Sequence, residues 1–253
     1  MSKIAYITGA SSGIGKAIAT RMAAEKYNLI LAARRSDRLQ ELAAELQQTY
    51  GIKTLLSSYD IRNRQAVKDA VESIPEDWRD IQVLVNNAGL ASGLSTLEHG
   101  DIDDWEVMID TNIKGLLFIT RNILPLIRHD GSGHIINIGS IAGKEVYPNG
   151  NVYCSTKHAV DALSKAMRLE LSVYPIRVSA IHPGAVETEF SVVRFHGDAQ
   201  RAQQVYAGFD NLIAGDIADA AWYIVSRPAH VNINELIIMP SAQPVAGVIH
   251  RKA

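Results

Sequence analysis

Short apolar runs rich in branched residues alternate along this chain with longer stretches in which apolar side chains recur every three or four positions. The runs at 4–8, 28–33, 54–59, 83–86, 134–138, 177–181 and 236–239 predict strands, and their nearly unbroken apolar character is that of strands buried on both faces. Between them, helical periodicity predicts helices near 14–25, 37–49, 63–73, 103–128, 152–173 and 216–227, with Asn151 and Asp216 as candidate caps. Parallel neighbours need a crossover helix, so this alternation predicts an α/β fold: one doubly wound parallel sheet of about seven strands with helices on both faces. No Gly/Ser/Pro-rich linker, charge block or repeat divides the chain, which predicts a single domain over 1–253.

Composition narrows the function. With 47% apolar and 21% charged residues the chain is not a disordered one, and 25 Lys+Arg against 27 Asp+Glu leaves −2, without the basic surplus of a nucleic-acid binder. No apolar run approaches the roughly 18 residues of a membrane helix, and no signal-peptide pattern follows Met1, which predicts a cytoplasmic protein. The single cysteine, Cys154, forms no internal disulfide and makes no zinc-type spacing with the eight histidines, so no metal is expected.

Directly after the first strand come Gly9, Ser11, Ser12, Gly13, Ile14 and Gly15, and a helix follows at once. Glycines there let backbone approach a pyrophosphate, and the helix end offers free N–H groups to its charge. The expected fold is thus of Rossmann type, although G-x-x-x-G-x-G departs from the commoner spacing. Gly9 to Gly13 also fits the G-x-S-x-G of a serine hydrolase with Ser11 as nucleophile, and a purely structural turn is a third reading. Only eight residues precede the motif, however, and Gly15 has no part in a hydrolase elbow. The second strand ends in Arg34 and Arg35 where an NAD-binding unit places an acid, and paired guanidiniums suit a 2′-phosphate, so NADP(H) is the predicted cofactor. The alternative is that these arginines open the next helix and face solvent.

Tyr153 and Lys157 stand four apart on one helix face, Ser140 ends the fifth strand, Asn86-Asn87-Ala88-Gly89 ends the fourth, and Asn112 falls within the long fourth helix. With the glycine turn, Asp60 and Pro183-Gly184, these occur in the order and spacing of the short-chain dehydrogenase/reductase family, which the chain resembles from Lys3 to about Met239. The resemblance implies that Tyr153 is the general acid/base, that Lys157 lowers its pKa and holds the nicotinamide ribose, that Ser140 holds the carbonyl oxygen, and that Asn112 anchors a relay water. It also implies cofactor contacts from Asp60 and Ile61, from Asn87, Ala88 and Gly89, and from Pro183, Gly184, Val186 and Thr188. Hydride transfer leaves charge on a carbonyl oxygen, so donors and an activated phenol are what the chemistry asks for.

Other tempting residues read structurally: Cys154 as a small packed side chain, His182 as a strand-end histidine bonded to backbone, Asp101, Asp103 and Asp104 as a solvated helix start, and Trp105, Phe118 and Trp222 as core or interface aromatics. The segment 187–215 is expected to cover the substrate. Arg194 within it is a candidate anion clamp, with a surface arginine as the alternative, and Tyr147 is a candidate second contact to the anion. This segment, the stretch from Pro228 to Asn234 and the tail 240–253 resemble those of bacterial NADP-dependent 3-hydroxy acid dehydrogenases, also described as serine or allo-threonine dehydrogenases. That implies a small anionic hydroxy or carbonyl substrate of the serine, allo-threonine or 3-hydroxypropionate type, with sulfoacetaldehyde reductase, an isethionate former, as the alternative, and a homotetramer as the assembly.

Overall fold

The computed structural model describes residues 3–252. Its first half runs β1 (Ile4–Thr8), α1 (Gly13–Ala24), β2 (Asn28–Ala33), α2 (Ser36–Tyr50), β3 (Thr54–Ser58), α3 (Arg64–Glu72) and β4 (Val83–Asn86). Its second half runs α4 (Ile102–Ile109), a π turn (Asp110–Gly115), α5 (Leu116–Ile123), β5 (His134–Ile138), α6 (Asn151–Leu171), β6 (Arg177–Pro183), β7 (Val186–Glu187), α7 (Phe190–Arg194), α8 (Ala199–Tyr206), β8 (Leu212–Ile213), α9 (Ala214–Val225) and β9 (Glu235–Ile238).

Seven strands form one sheet in the order β3-β2-β1-β4-β5-β6-β9, every pairing parallel. Strand alternation sorts side chains between two cores. Ala5, Ile7, Val83, Val85, Ile136 and Ile138 face α1, α2 and α9, whereas Ile4, Tyr6, Leu84 and Ile135 face α3, α5 and α6. Strand order reverses between β1 and β4, which opens a crevice at the carboxyl ends of the strands.

Several expectations need correction. The edge strands are not buried on both faces: Leu56 of β3 is 38% exposed and Ile237 of β9 is 51% exposed, because each lacks a neighbour on one side. Asn151 is the first residue of α6 rather than its cap, which is Gly150, and Asp216 is the third residue of α9, where its carboxylate accepts the Ile213 N–H at 2.8 Å. The helix expected over 103–128 runs from Ile102 to Leu126, with a π turn at Asp110–Gly115 and a last turn at Leu124–Leu126, where Pro125 stops it. Two-residue strands β7 and β8 form a separate parallel pair beside the crevice.

Candidate active site

Six strand ends deliver the candidate residues to one cleft of about 490 Å³. Behind β1, Gly9 takes a left-handed φ of +64°, and a Cβ on Gly15 would collide with the Gly9 carbonyl and the Asn87 amide. The turn is fastened to the β4 end. Thr8 Oγ1 accepts the N–H groups of Asn87 and Ala88, both at 3.0 Å, and Asn87 Nδ2 donates to the carbonyls of Thr8 (2.9 Å) and Gly9 (3.2 Å). Ser12 caps α1 in extended backbone, yet its side chain accepts no helix N–H, so the first-turn donors stay available to an anion. The Ser12 hydroxyl instead accepts Arg35 NH2 at 2.8 Å, and Ser11 Oγ accepts Arg35 Nε at 3.3 Å. A glycine-lined cradle, uncapped helix donors and two arginines at the end of β2 fit a dinucleotide carrying an extra phosphate.

Ser11 bonds a guanidinium, and among the described residues no histidine bonds it, which removes the base a serine hydrolase needs. Asp60 and Ile61 line the cleft, and Arg62 grips the Asp60 carboxylate, holding it below the usual carboxylate range. On the opposite rim Pro183, Gly184, Val186 and Thr188 line the cleft, as do Gly13 and Ile14 in its floor.

Tyr153 and Lys157 are both buried on the first turns of α6. Burial pushes the Tyr153 phenol well above its ordinary value and Tyr147 adds to this, while the Ser140 hydroxyl and Arg194 pull it down. The groups that pull it down are thus Ser140 and Arg194, where the family resemblance implies Lys157. The Lys157 ammonium stands 6.0 Å from the Tyr153 ring, donates to the Ile138 carbonyl at 3.0 Å, and is itself brought down to about 8 by burial. Ser140 Oγ accepts the Ala142 N–H at 3.1 Å and lines the cleft beside Tyr153, whose phenol its hydroxyl bonds.

Asn112 sits buried in the π turn, behind the residues that line the cleft. Its amide donates to the Leu90 carbonyl (2.8 Å) and Thr156 Oγ1 (3.0 Å), and its Oδ1 accepts the Leu90 N–H (2.9 Å). It therefore ties the segment after Gly89 to α6 beside Lys157. Arg194 lies 5.5 Å over the Tyr153 ring, donates to Tyr147 Oη at 3.0 Å and to the Gly93 carbonyl at 3.2 Å, and its NH1 bonds no acceptor among the described residues. It is thus no free surface arginine.

The model of the short chain dehydrogenase family matches residues 3–198. The chain belongs to the short chain dehydrogenase family. Among its relatives, the NADP-dependent 3-hydroxy acid dehydrogenase YdfG of Salmonella typhi is 46% identical over 98% of this chain and 99% of its own. The NADP-dependent 3-hydroxy acid dehydrogenase of Schizosaccharomyces pombe is 43% identical over 99% and 97%. A solved closed form of serine dehydrogenase complexed with NADP+ is 43% identical, covers 98% of this chain and 100% of that one, and superposes with a TM-score of 0.91.

In this short chain dehydrogenase several cleft residues carry no sequence signal. Phe190 lies against Tyr153 with ring centroids 5.7 Å apart, and buried Gln243 of the tail accepts the Ala185 N–H at 2.8 Å. Glu189 binds Arg35 and Arg38. Asp104 is not solvated: it accepts the Ser92 hydroxyl at 2.5 Å and stands 3.3 Å from His196 Nε2. His182 is buried, with Nδ1 3.3 Å from the Ser140 carbonyl, as a strand-end histidine should be. It approaches Asp161 and Glu235 in a metal-like group, but the Lys144 ammonium already binds both carboxylates at 2.6 Å. Cys154 is buried, Asp101 caps α4, and Trp105, Phe118 and Trp222 lie against the three cores.

Proposed function

We propose that the chain is an NADP(H)-dependent oxidoreductase interconverting a small 3-hydroxy acid and its 3-oxo acid or semialdehyde. The reading is carried by Arg194: a guanidinium with donors to spare lies over the ring of the buried tyrosine, so a substrate anion held there is a short distance from the reacting carbon. The names of the relatives favour a carboxylate over the sulfonate of sulfoacetaldehyde.

When bound, the cofactor supplies or accepts the hydride. Ser140, in the cleft wall beside Tyr153, would turn its hydroxyl hydrogen to the carbonyl oxygen, where charge develops. Tyr153 gives that oxygen a proton in reduction and takes one from the alcohol in oxidation. Lys157, buried beside Tyr153, would hold the nicotinamide ribose. Arg34 and Arg35 would receive the 2′-phosphate, and the uncapped α1 would receive the pyrophosphate. Asn112 positions the segment after Gly89 and Lys157's helix, beside the relay-water role that the family pattern implies. We further propose a cytoplasmic homotetramer. Exposed Leu169, Val173 and Tyr174 near the end of α6, and Ile213, Tyr223 and Ile237 on and beside α9, offer two separate apolar faces, as dihedral assembly requires.

The test is a panel of 3-hydroxypropionate, serine, allo-threonine and isethionate against NADP+ and NAD+. A 3-hydroxy acid with NADP+ should give the highest kcat/KM; a lead for isethionate would move the assignment to the sulfonate. Arg194→Ala should raise the substrate KM by about 10- to 100-fold, the worth of a charge-assisted hydrogen bond, and leave NADPH affinity as it was.

A further inference from the structure

Glu189 is gripped by two cations of the β2–α2 turn. Its Oε2 accepts Arg35 NH1 at 3.0 Å and its Oε1 accepts Arg38 NH1 at 2.6 Å. The remaining edges of the Arg35 guanidinium already reach the hydroxyls of Ser11 and Ser12. Arg35 therefore has Glu189 and two hydroxyls on the same donors that a phosphate dianion would seek. A carboxylate spanning two guanidiniums presents the planar, paired acceptors by which arginine recognises phosphate.

The pair is accessible to a ligand, since the side chains of Arg35, Arg38 and Glu189 are 40%, 41% and 47% exposed. Glu189 is charged at neutral pH, because Arg38 and then Arg35 hold its carboxyl below the usual range. It also stands at the junction of the two halves of the site. It immediately precedes α7, which carries Phe190 and Arg194 over Tyr153, whereas Arg35 and Arg38 belong to the adenosine side.

We infer that Glu189 is an internal competitor for the 2′-phosphate of NADP(H), holding the Arg35 and Arg38 guanidiniums from the substrate-covering segment and lowering the affinity for the phosphorylated cofactor. The inference rests on the NADP(H) reading above. A cofactor without the 2′-phosphate leaves the ion pairs in place; one that carries it must displace or share them. Glu189 thus weakens binding of NADP(H) and speeds its release, without touching the hydride-transfer chemistry.

The experiment is calorimetric titration of the full chain with adenosine 2′,5′-bisphosphate and with 5′-AMP, in the wild type, Glu189→Gln, Arg35→Ala and the double variant. Glu189→Gln should bind the bisphosphate about two- to fivefold tighter, the fold-change of one exposed ion pair, with 5′-AMP unaffected. The gain should shrink in the Arg35→Ala background. Unchanged or weaker bisphosphate binding by Glu189→Gln, or an equal gain for both nucleotides, overturns the inference while leaving the cofactor reading intact. Wild-type protein that does not distinguish the two nucleotides overturns the NADP(H) reading itself.

Discussion

Burial moves Tyr153 and Lys157 in opposite directions, the phenol up and the ammonium down to about 8, and in both cases toward the neutral form. A neutral phenol is a ready proton donor for carbonyl reduction, and the hydroxyl of Ser140 beside it shares the developing charge. Tyr153→Phe keeps the ring against Phe190 but deletes the proton, so kcat should fall by about 10²- to 10⁴-fold while NADPH affinity, measured by fluorescence titration, holds. Retained turnover would assign the proton to another group. Lys157 gives a pH signature of known sign. With its value depressed to about 8, the ammonium is present below that pH and lost above it, so NADPH affinity should weaken as pH rises through about 8. Lys157→Ala should bind weakly with no such inflection, and a wild-type affinity that stays flat into the alkaline range would remove the ribose role.

The elements that carry these residues are joined by a buried amide chain under the cleft. Asn86 Nδ2 of β4 donates to Asn137 Oδ1 of β5 at 2.8 Å and to Thr120 of α5 at 2.9 Å, and Asn137 Nδ2 donates to Ser164 of α6 at 2.9 Å. Asn137→Leu strands the partners of a fully buried amide and should cost about 1–3 kcal/mol in urea unfolding. Adding Asn86→Leu should cost less than the sum of the two single changes, since the bond between the two amides is already lost in either one. Strict additivity would show that the two amides act independently. Strands and helices were legible at this scale because burial on both sheet faces leaves an apolar run and burial on one helix face leaves a period. Caps were not: a side-chain oxygen at Asn151 or Asp216 looks alike one residue before a helix or three residues inside it. The π turn at Asp110–Gly115 leaves the apolar pattern running through it, and two-residue strands such as β7 have no period to read. In the site, Tyr153, Lys157, Ser140 and the glycine turn were legible through spacing along the chain. Glu189 and Gln243 were not, because their partners lie 154 and 58 positions away and depend on the folded crevice.

Over the whole molecule the charge is −2, so the attraction for a cofactor with several negative charges must be local, and the β2 end is where it is concentrated. Arg34 is exposed there and lowers the Asp60 carboxyl through space, while Arg35 is shared with Ser11, Ser12 and Glu189. A free ribose hydroxyl pair gains little from either guanidinium, whereas a 2′-phosphate gains a charge-assisted contact from each. Replacing both arginines with Ala should therefore raise the KM for NADPH by about 10- to 100-fold and leave that for NADH nearly unchanged. Because the lost attraction is between exposed charges, the wild-type preference for NADPH should also shrink as salt rises and the Debye length contracts toward about 3 Å near 1 M, while the double variant should show little salt dependence of that preference. Equal losses for both cofactors would mean that the arginines hold up the turn rather than read the phosphate. A salt-insensitive preference in the wild type would place the discrimination in shape, at the Ser11 and Ser12 hydroxyls, instead of in charge.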